Sequence, residues 1–489
     1  MGLNILDAGV IGVYLAGVTL FGLRFRKRDR TLQSYFLADK TVPWWAIAMS
    51  IVAAETSTLT IISIPGLAYD QDFRFLQLVV GYMLGRVVVT FVLIPQYMRG
   101  NLVTAYQLIL RRFGPRMQTL TGSIFLVTRA AAEGVRVFAV AIVVRIALSG
   151  LFHGWSAFQS DLCAIGIVVL LTLIYTFEGG MAAVIWTDVV QLIVYIACTL
   201  GCLFTIGHLV PGGWTAFASL ANHAGKFRVL DFSWNLTKPY TFWSGIIGGT
   251  FLTIASHGTD QLIVQRLLSA RSENQSKAAL LSSGVFVFFQ FSLFLLVGSM
   301  LFVFYKCFPM TAAFSKGDAI FPTFIVSQLP HGVSGLFIGA ILAAAMSNLS
   351  AALNALSSTT VVDFYQRWFP ASTEERRVLT SRRATAAWAC LLFALAVASR
   401  NGGRVLEMGL SIASVAYGAL LGVFLLGVLT RTTTERGAVI GTVAGLTFNI
   451  CLWSFTSTAF TWYVAFGCGV TFVIGYGVSR AWPNRKVDA

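Results

Sequence analysis

Five oxygen-bearing side chains, Glu55, Thr56, Ser57, Thr58 and Thr60, stand inside an apolar run that begins at Trp44-Trp45 and ends at Pro65-Gly66. In hydrocarbon such a cluster is costly unless it faces a cavity or a partner. Clustered hydroxyls also compete for backbone hydrogen bonds, so a local unwinding is expected near residues 53–58. A second polar stripe reads Ala343-Ala344-Ala345-Met346-Ser347-Asn348-Leu349-Ser350-Ala351-Ala352-Leu353-Asn354. Positions 344, 347, 348, 351 and 354 share one helical face. Small residues and side-chain oxygens there suit a hard cation partly stripped of water, its shell completed by carbonyls freed where another helix unwinds. The competing readings are a hydroxyl-rich packing face for the first stretch and a tight helix–helix seam for the second.

Charged residues within apolar runs form the next group: Glu55, Arg86, Arg129, Glu133 and Arg136, with Arg145 nearer a boundary. Arg129, Glu133 and Arg136 stand at i, i+4 and i+7, on one helical face, where they can form a charge ladder. Buried charges persist when paired. If Glu55 pairs with Arg86 or Arg136, one arginine of this set has no acidic partner. An unpaired arginine in a cavity suits a carboxylate, because its fork can bind two oxygens. The candidate solute-binding set is Glu55, Ser57, Thr58, Thr60, Gln77, Arg86, Arg129, Glu133, Arg136, Thr253 and Ser256. Glycines 245, 248 and 249 precede the last two, and a helix break near Gly248–Ser256 is expected.

These residues must be positioned by membrane helices. Of 489 residues, 56% are hydrophobic and only 11% charged, with a mean hydropathy of +0.76. Soluble proteins average about 25% charged residues. The 7 cysteines are scattered, so no disulfide scaffold is expected. Thirteen runs approach the roughly 20 residues needed to cross a bilayer: 5–23, 43–66, 76–98, 117–148, 160–177, 182–206, 241–258, 278–306, 333–361, 384–400, 405–429, 437–455 and 460–480. They predict one all-α membrane domain over 1–489, lodged in the lipid bilayer. Gly437, Gly441 and Gly445 offer a small-residue face for close helix packing.

The net charge of +15 has two readings, a nucleic-acid surface or a topology signal. Alternate connections hold 23 of the 35 basic residues and the opposite loops hold 8, which leaves four arginines within spans. The bias places the N-terminus outside and the C-terminus inside. It also removes the main support for a nucleic-acid partner. No obligatory protein partner is evident, and no HExxH, P-loop, GxSxG or Cys/His metal cluster points to an enzyme.

Three motifs go further. The segment from Tyr175 through Glu178, Gly179, Gly180, Trp186, Thr187 and Asp188 to Gln191 is one; Asp260-Gln261 to Val264-Gln265-Arg266 and Ala344-x-x-Ser347 are the others. In these the chain resembles the sodium/solute symporter family, which includes sodium/glucose, sodium/proline and sodium/sialic acid transporters. The resemblance implies a multi-pass cell-membrane protein of LeuT-type fold, with two inverted five-helix repeats at 43–206 and 241–429. One extra helix, 5–23, precedes them and two, within 437–480, follow.

It also implies sodium-coupled symport of a small-molecule solute by alternating access. The sodium site would draw on carbonyls of Ala53, Thr56 and Ala344 and side-chain oxygens of Ser347 and Asn348. Asn348 stands where the family usually has a hydroxyl. Some members hold a second sodium at positions matching Asp188, Ser347, Ser350 and 351, and here Ala351 lacks the hydroxyl. The arginine that binds a carboxylate in sialic acid transporters aligns near Ala132, not with Arg129 or Arg136. The sugar transporters' gating aromatic aligns with Ser256. The arginine left without an acidic partner nevertheless favours a carboxylate-bearing solute over a neutral sugar. Proton coupling through Glu55 or Asp188 is the rival on the same fold.

Overall fold

The hydroxyl cluster does break its helix. In the computed structural model, which describes residues 3–24, 37–99, 105–150, 152, 154–175, 181–309 and 317–482, helix α1 covers Ile5–Leu23. The next run is split into α2 (Trp44–Glu55) and α3 (Thr58–Asp70), bent by 64°. Thr56 ends α2 with the non-helical backbone angles φ −84 and ψ 64. Its N–H and its hydroxyl both donate to Val52 O, at 2.9 and 2.7 Å, so backbone and side chain together close the last turn before the helix ends.

The chain continues through α4 (Phe75–Val92), α5 (Pro115–Ala147), α6 (Ala157–Tyr175) and α7 (Met181–Leu209). Then come α8 (Gly249–Gly258), α9 (Gln261–Leu268), α10 (Glu273–Cys307) and α11 (Val333–Thr359). Helices α12 (Glu374–Ala398), α13 (Val405–Leu429), α14 (Glu435–Phe455) and α15 (Tyr463–Ala481) complete the all-helical fold. Among the described residues nine helices are long and apolar enough to cross a membrane, or ten if the bent pair counts as one span. The remaining predicted runs are also helical but weaker as spans. Helix α5 carries Arg129, Glu133 and Arg136 through its middle, and the apolar part of α6 is short.

The glycines before Thr253 do not break their helix. A π-helical turn at Ser244–Gly248 leads directly into α8, and the helix runs on to Gly258. Those glycines instead admit another backbone: a Cβ at Gly245 would lie 2.7 Å from the Gln77 carbonyl carbon, and one at Gly249 2.5 Å from Leu78 O. The small-residue face of α14 behaves as expected. Cβ atoms at Gly441 and Gly445 would meet Gly475 Cα and Gly467 O of α15, each at 2.7 Å.

Helix α11 lies at the centre, 78% of its apolar window buried against 11% for α1. Helix α1 nevertheless docks at a defined point. Asp7 accepts the N–H groups of Gly332 and Gly335, at 2.6 and 3.2 Å, and so caps the N-terminus of α11.

The connection 207–240 clasps the Asp70 end of α3. Lys226 Nζ donates to the carbonyls of Ala68, Tyr69 and Gln71, at 3.2, 2.6 and 2.8 Å. Burial lowers its pKa. Asp231, in the same connection, is pulled down to about 2, first by hydrogen bonding from Ser233 and then by Arg74 and Lys238. A depressed carboxylate stabilises the fold fully above its ordinary value, near 4, and loses that contribution as the pH falls through the folded value. Proteolysis of this connection is therefore expected to be unchanged between neutral pH and about pH 4 and to quicken below it, whereas Asp231→Asn should be cut faster than the wild type already at neutral pH and lack this residue's acid-induced change.

Candidate functional site

A cavity of about 200 Å³ lies beside the break. The bent pair contributes Glu55, Ser57 and Thr60 to its wall, α5 contributes Arg129 and Arg136, α8 contributes Thr253 and Ser256, and α11 contributes Asn348. A second cavity of about 20 Å³ shares Ser57, Arg136 and Asn348 with the first and adds Thr58 and Glu133. Most of the expected solute-binding residues therefore converge. Two do not reach the wall. Gln77 is turned toward the 207–240 connection, donating to Tyr240 O at 3.3 Å and accepting from the Asp231 N–H at 3.1 Å. Arg86 sits behind Glu55.

The charges are wired pairwise. Arg86 Nη2 donates to both oxygens of Glu55, at 2.5 and 2.6 Å. His257 Nε2 meets the same carboxylate, and its Nδ1 lies 2.9 Å from the Ser256 hydroxyl. Glu133 Oε1 is shared by Arg129 at 2.7 Å and Arg136 at 2.9 Å, as the i, i+4, i+7 spacing predicts. Arg129 has another neighbour: Asp260, at 3.5 Å. Asp260 caps α9 through the Leu262 N–H at 2.9 Å and accepts the Tyr417 hydroxyl at 2.8 Å.

This corrects the charge count made from the sequence. Asp260 stands in a quoted motif but outside the apolar runs, so the balance read from the sequence omits it. With it, Glu55, Glu133, Asp260 and Asp188 match Arg86, Arg129, Arg136 and Arg266, and no net arginine excess remains. What persists is unequal sharing. Arg136 holds only half of Glu133 Oε1, and its side chain is 32% exposed where that of Arg129 is 7% exposed.

The candidate sodium ligands are packed more deeply. Ala53, Thr56, Ala344 and Ser347 are buried, and Asn348 reaches the wall of both cavities. Thr58 at the start of α3 ties the break to α11 by donating to Ile341 O at 3.4 Å. The set is all oxygen, with the Ala53 and Thr56 carbonyls beside a non-helical turn and the Ala344 carbonyl within α11, a donor type that suits a hard monovalent cation. Asp188 lies elsewhere, in a buried node: its Oδ2 accepts Ser50 Oγ at 2.6 Å and Arg266 Nη2 at 3.0 Å. Ser350 is buried on α11. Of the motif around Asp188, residues 176–180 lie outside the described residues. Two contributors that sequence reasoning missed are Tyr417, which lines the cavity, and Gln290 of α10, which donates to the Thr56 hydroxyl. Their neighbours on the cavity wall, Phe291, Ala413 and Leu420, are apolar and give no signal along the chain.

Known proteins share this architecture. The sodium/sialic acid symporter NanT of Aliivibrio fischeri is 29% identical over 96% of this chain and 92% of its own length. The human sodium/iodide cotransporter is 29% identical over 91% of this chain and 69% of its own. Among solved structures, a sodium-coupled sialic acid symporter in a substrate-bound, outward-open state superposes with a TM-score of 0.84 at 26% identity, covering 99% of this chain and all of that one. That places the chain among LeuT-like folds. The family model for the sodium:solute symporters matches residues 35–445. The chain belongs to the sodium:solute symporter family, as a sodium-coupled, multi-pass transporter of the cell membrane.

Proposed function

We propose that the solute is a small carboxylate held in the cavity by Arg136. The carrying observation is that this guanidinium lines the cavity, is part-exposed, and gives a single hydrogen bond, from Nη1 to Glu133. Its remaining N–H groups are free for a planar, two-oxygen anion. Relatives named for sialic acid, iodide and monocarboxylates support an anionic solute. A neutral sugar would leave those donors to hydroxyls alone.

Sodium would bind between the break and α11, on Ala53, Thr56, Ala344, Ser347 and Asn348. Bound there it joins the two halves of the bent span to the central helix, which is how filling the site would favour one face of an alternating-access cycle. The full architecture in this reading has about thirteen spans in one domain, with five-helix repeats at 43–206 and 241–429. The N-terminus lies outside, the C-terminus inside, and no obligatory protein partner is needed. Glu55 and Asp188 each hold an arginine, which speaks against either as a proton carrier.

Uptake into sodium-free proteoliposomes, with sodium or choline outside, tests this directly. Arg136→Gln is expected to raise the half-saturating carboxylate concentration about 10- to 100-fold, the worth of a lost charged hydrogen bond, and to leave sodium-dependent thermal stabilisation unchanged. Transport of neutral sugars but of no carboxylate would overturn the solute class. Uptake driven by a pH gradient without sodium would overturn the coupling ion.

A further inference from the structure

The break has a second partner, on α10. Gln290 of α10 is 4% exposed, and its Nε2 donates to the hydroxyl of Thr56. That hydroxyl in turn donates to Val52 O, so the amide ends a chain that runs into the last turn of α2. The Gln290 Oε1 has no hydrogen-bond partner among the described residues. An amide is not buried with half its capacity unused for packing alone, since a methionine or leucine would fill the space without that cost. Helix α10 is also well placed to act on both halves of the bent span. About two turns beyond Gln290, a Cβ at Gly298 would sit 2.8 Å from Pro65 Cα, so the helix touches the α3 backbone there.

We propose that Gln290 is a positioning residue for the sodium site, holding the non-helical Thr56 backbone so that its carbonyl stays turned toward the ion. Thr56 is not fixed by a regular helix on its C-terminal side, because α2 ends at Glu55. Its orientation depends on the side-chain bonds it makes. Without the amide, the hydroxyl loses its tie to α10 and keeps its bond to Val52 O beside the Tyr195 hydroxyl, and the carbonyl samples orientations that do not face the cation. The expected consequence is weaker sodium binding with the solute cavity intact, since Gln290 does not line it. This inference rests on the sodium ligand set proposed above.

The test uses the full-length protein in detergent and in proteoliposomes, with sodium as the probe. Gln290→Met keeps the length and removes the donor. It is expected to raise half-saturating sodium about tenfold, the worth of one buried hydrogen bond and its orphaned partner. This should appear both in sodium-dependent melting without solute and in uptake, with the solute half-saturation at excess sodium unchanged. Thr56→Val removes the same bond from the other side and should give the same shift, and the double variant should add nothing further. Thr56→Ser keeps the hydroxyl and should reverse most of the sodium shift seen in Thr56→Val. A lowered melting temperature with unaltered sodium half-saturation in both single variants would mean a structural role only and overturn the proposal. Ser347→Ala separates the two levels. If it weakens sodium binding while Gln290→Met does not, the positioning role is wrong and the site stands; if neither does, the ligand set itself is wrong.

Discussion

Replacing Glu55 by Gln is expected to destabilise the protein by about 3–5 kcal/mol, among the largest effects of any single change in the cavity wall. The reason lies in Arg86, whose side chain is 1% exposed. Its guanidinium gives Nε to Ser283 Oγ at 3.2 Å, Nη1 to Tyr82 O at 3.2 Å and Nη2 to Glu55. Only the last partner is charged. A glutamine keeps one acceptor oxygen but turns an amide nitrogen toward the guanidinium and leaves the positive charge unneutralised in a low-dielectric setting. Glu55 itself is 18% exposed toward the cavity, so solvent there softens the loss to the lower part of the range. Glu55→Gln with Arg86→Met removes both charges and is expected to recover most of the stability, because a buried pair taken out whole costs little. Melting curves of the two single variants and the double variant in detergent decide this. A single Glu55→Gln variant that melts with the wild type would show that Arg86 is neutralised by something else.

The second large effect is expected at the node of Ser50, Asp188 and Arg266. The Asp188 and Arg266 side chains are each 3% exposed, and Ser50 lies between them, accepting Arg266 Nε at 2.9 Å and donating to Asp188. The node ties α2, α7 and α9 together. Arg266→Met should cost about 3–5 kcal/mol by stranding the carboxylate. It should also change the response to sodium. In the native protein a guanidinium 3.0 Å away already neutralises Asp188. Removing it leaves an uncompensated anion near hydroxyl groups, which a monovalent cation can partly satisfy. The melting temperature of Arg266→Met is therefore expected to rise more steeply with sodium than that of the wild type, with choline as the control cation. Equal slopes for the two proteins would show that Asp188 attracts no cation even when its arginine is gone.

Several features of the cavity were legible before any coordinates. The break at Thr56 falls within the stretch 53–58 marked by its hydroxyl cluster, because side chains that compete for backbone bonds act within one turn. The sharing of Glu133 by Arg129 and Arg136 follows from helical spacing alone. The glycine face at 437, 441 and 445 met another backbone as expected. Glycines 245 and 249 were misread as a weak point, since a glycine that lets a helix break and one that lets a neighbour approach look identical along the chain.

What the sequence by itself determined is what depends on near neighbours and on composition: an all-helical chain with the hydropathy of a membrane protein, an unwound turn in a named place, a polar face on α11, and motifs specific enough to indicate the family. What only the tertiary structure decided is which distant charges meet. Gln290 reaches Thr56 across 234 positions, and Arg266 reaches Asp188 across 78. Asp260 beside Arg129 cancels an arginine excess that the sequence implied. The physical reason is that helical periodicity fixes directions over a few residues, whereas the balance of buried charge is set by every element packed around the cavity. The arginine proposed for the solute could be singled out only after that balance was known, as the one whose share of a carboxylate is smallest.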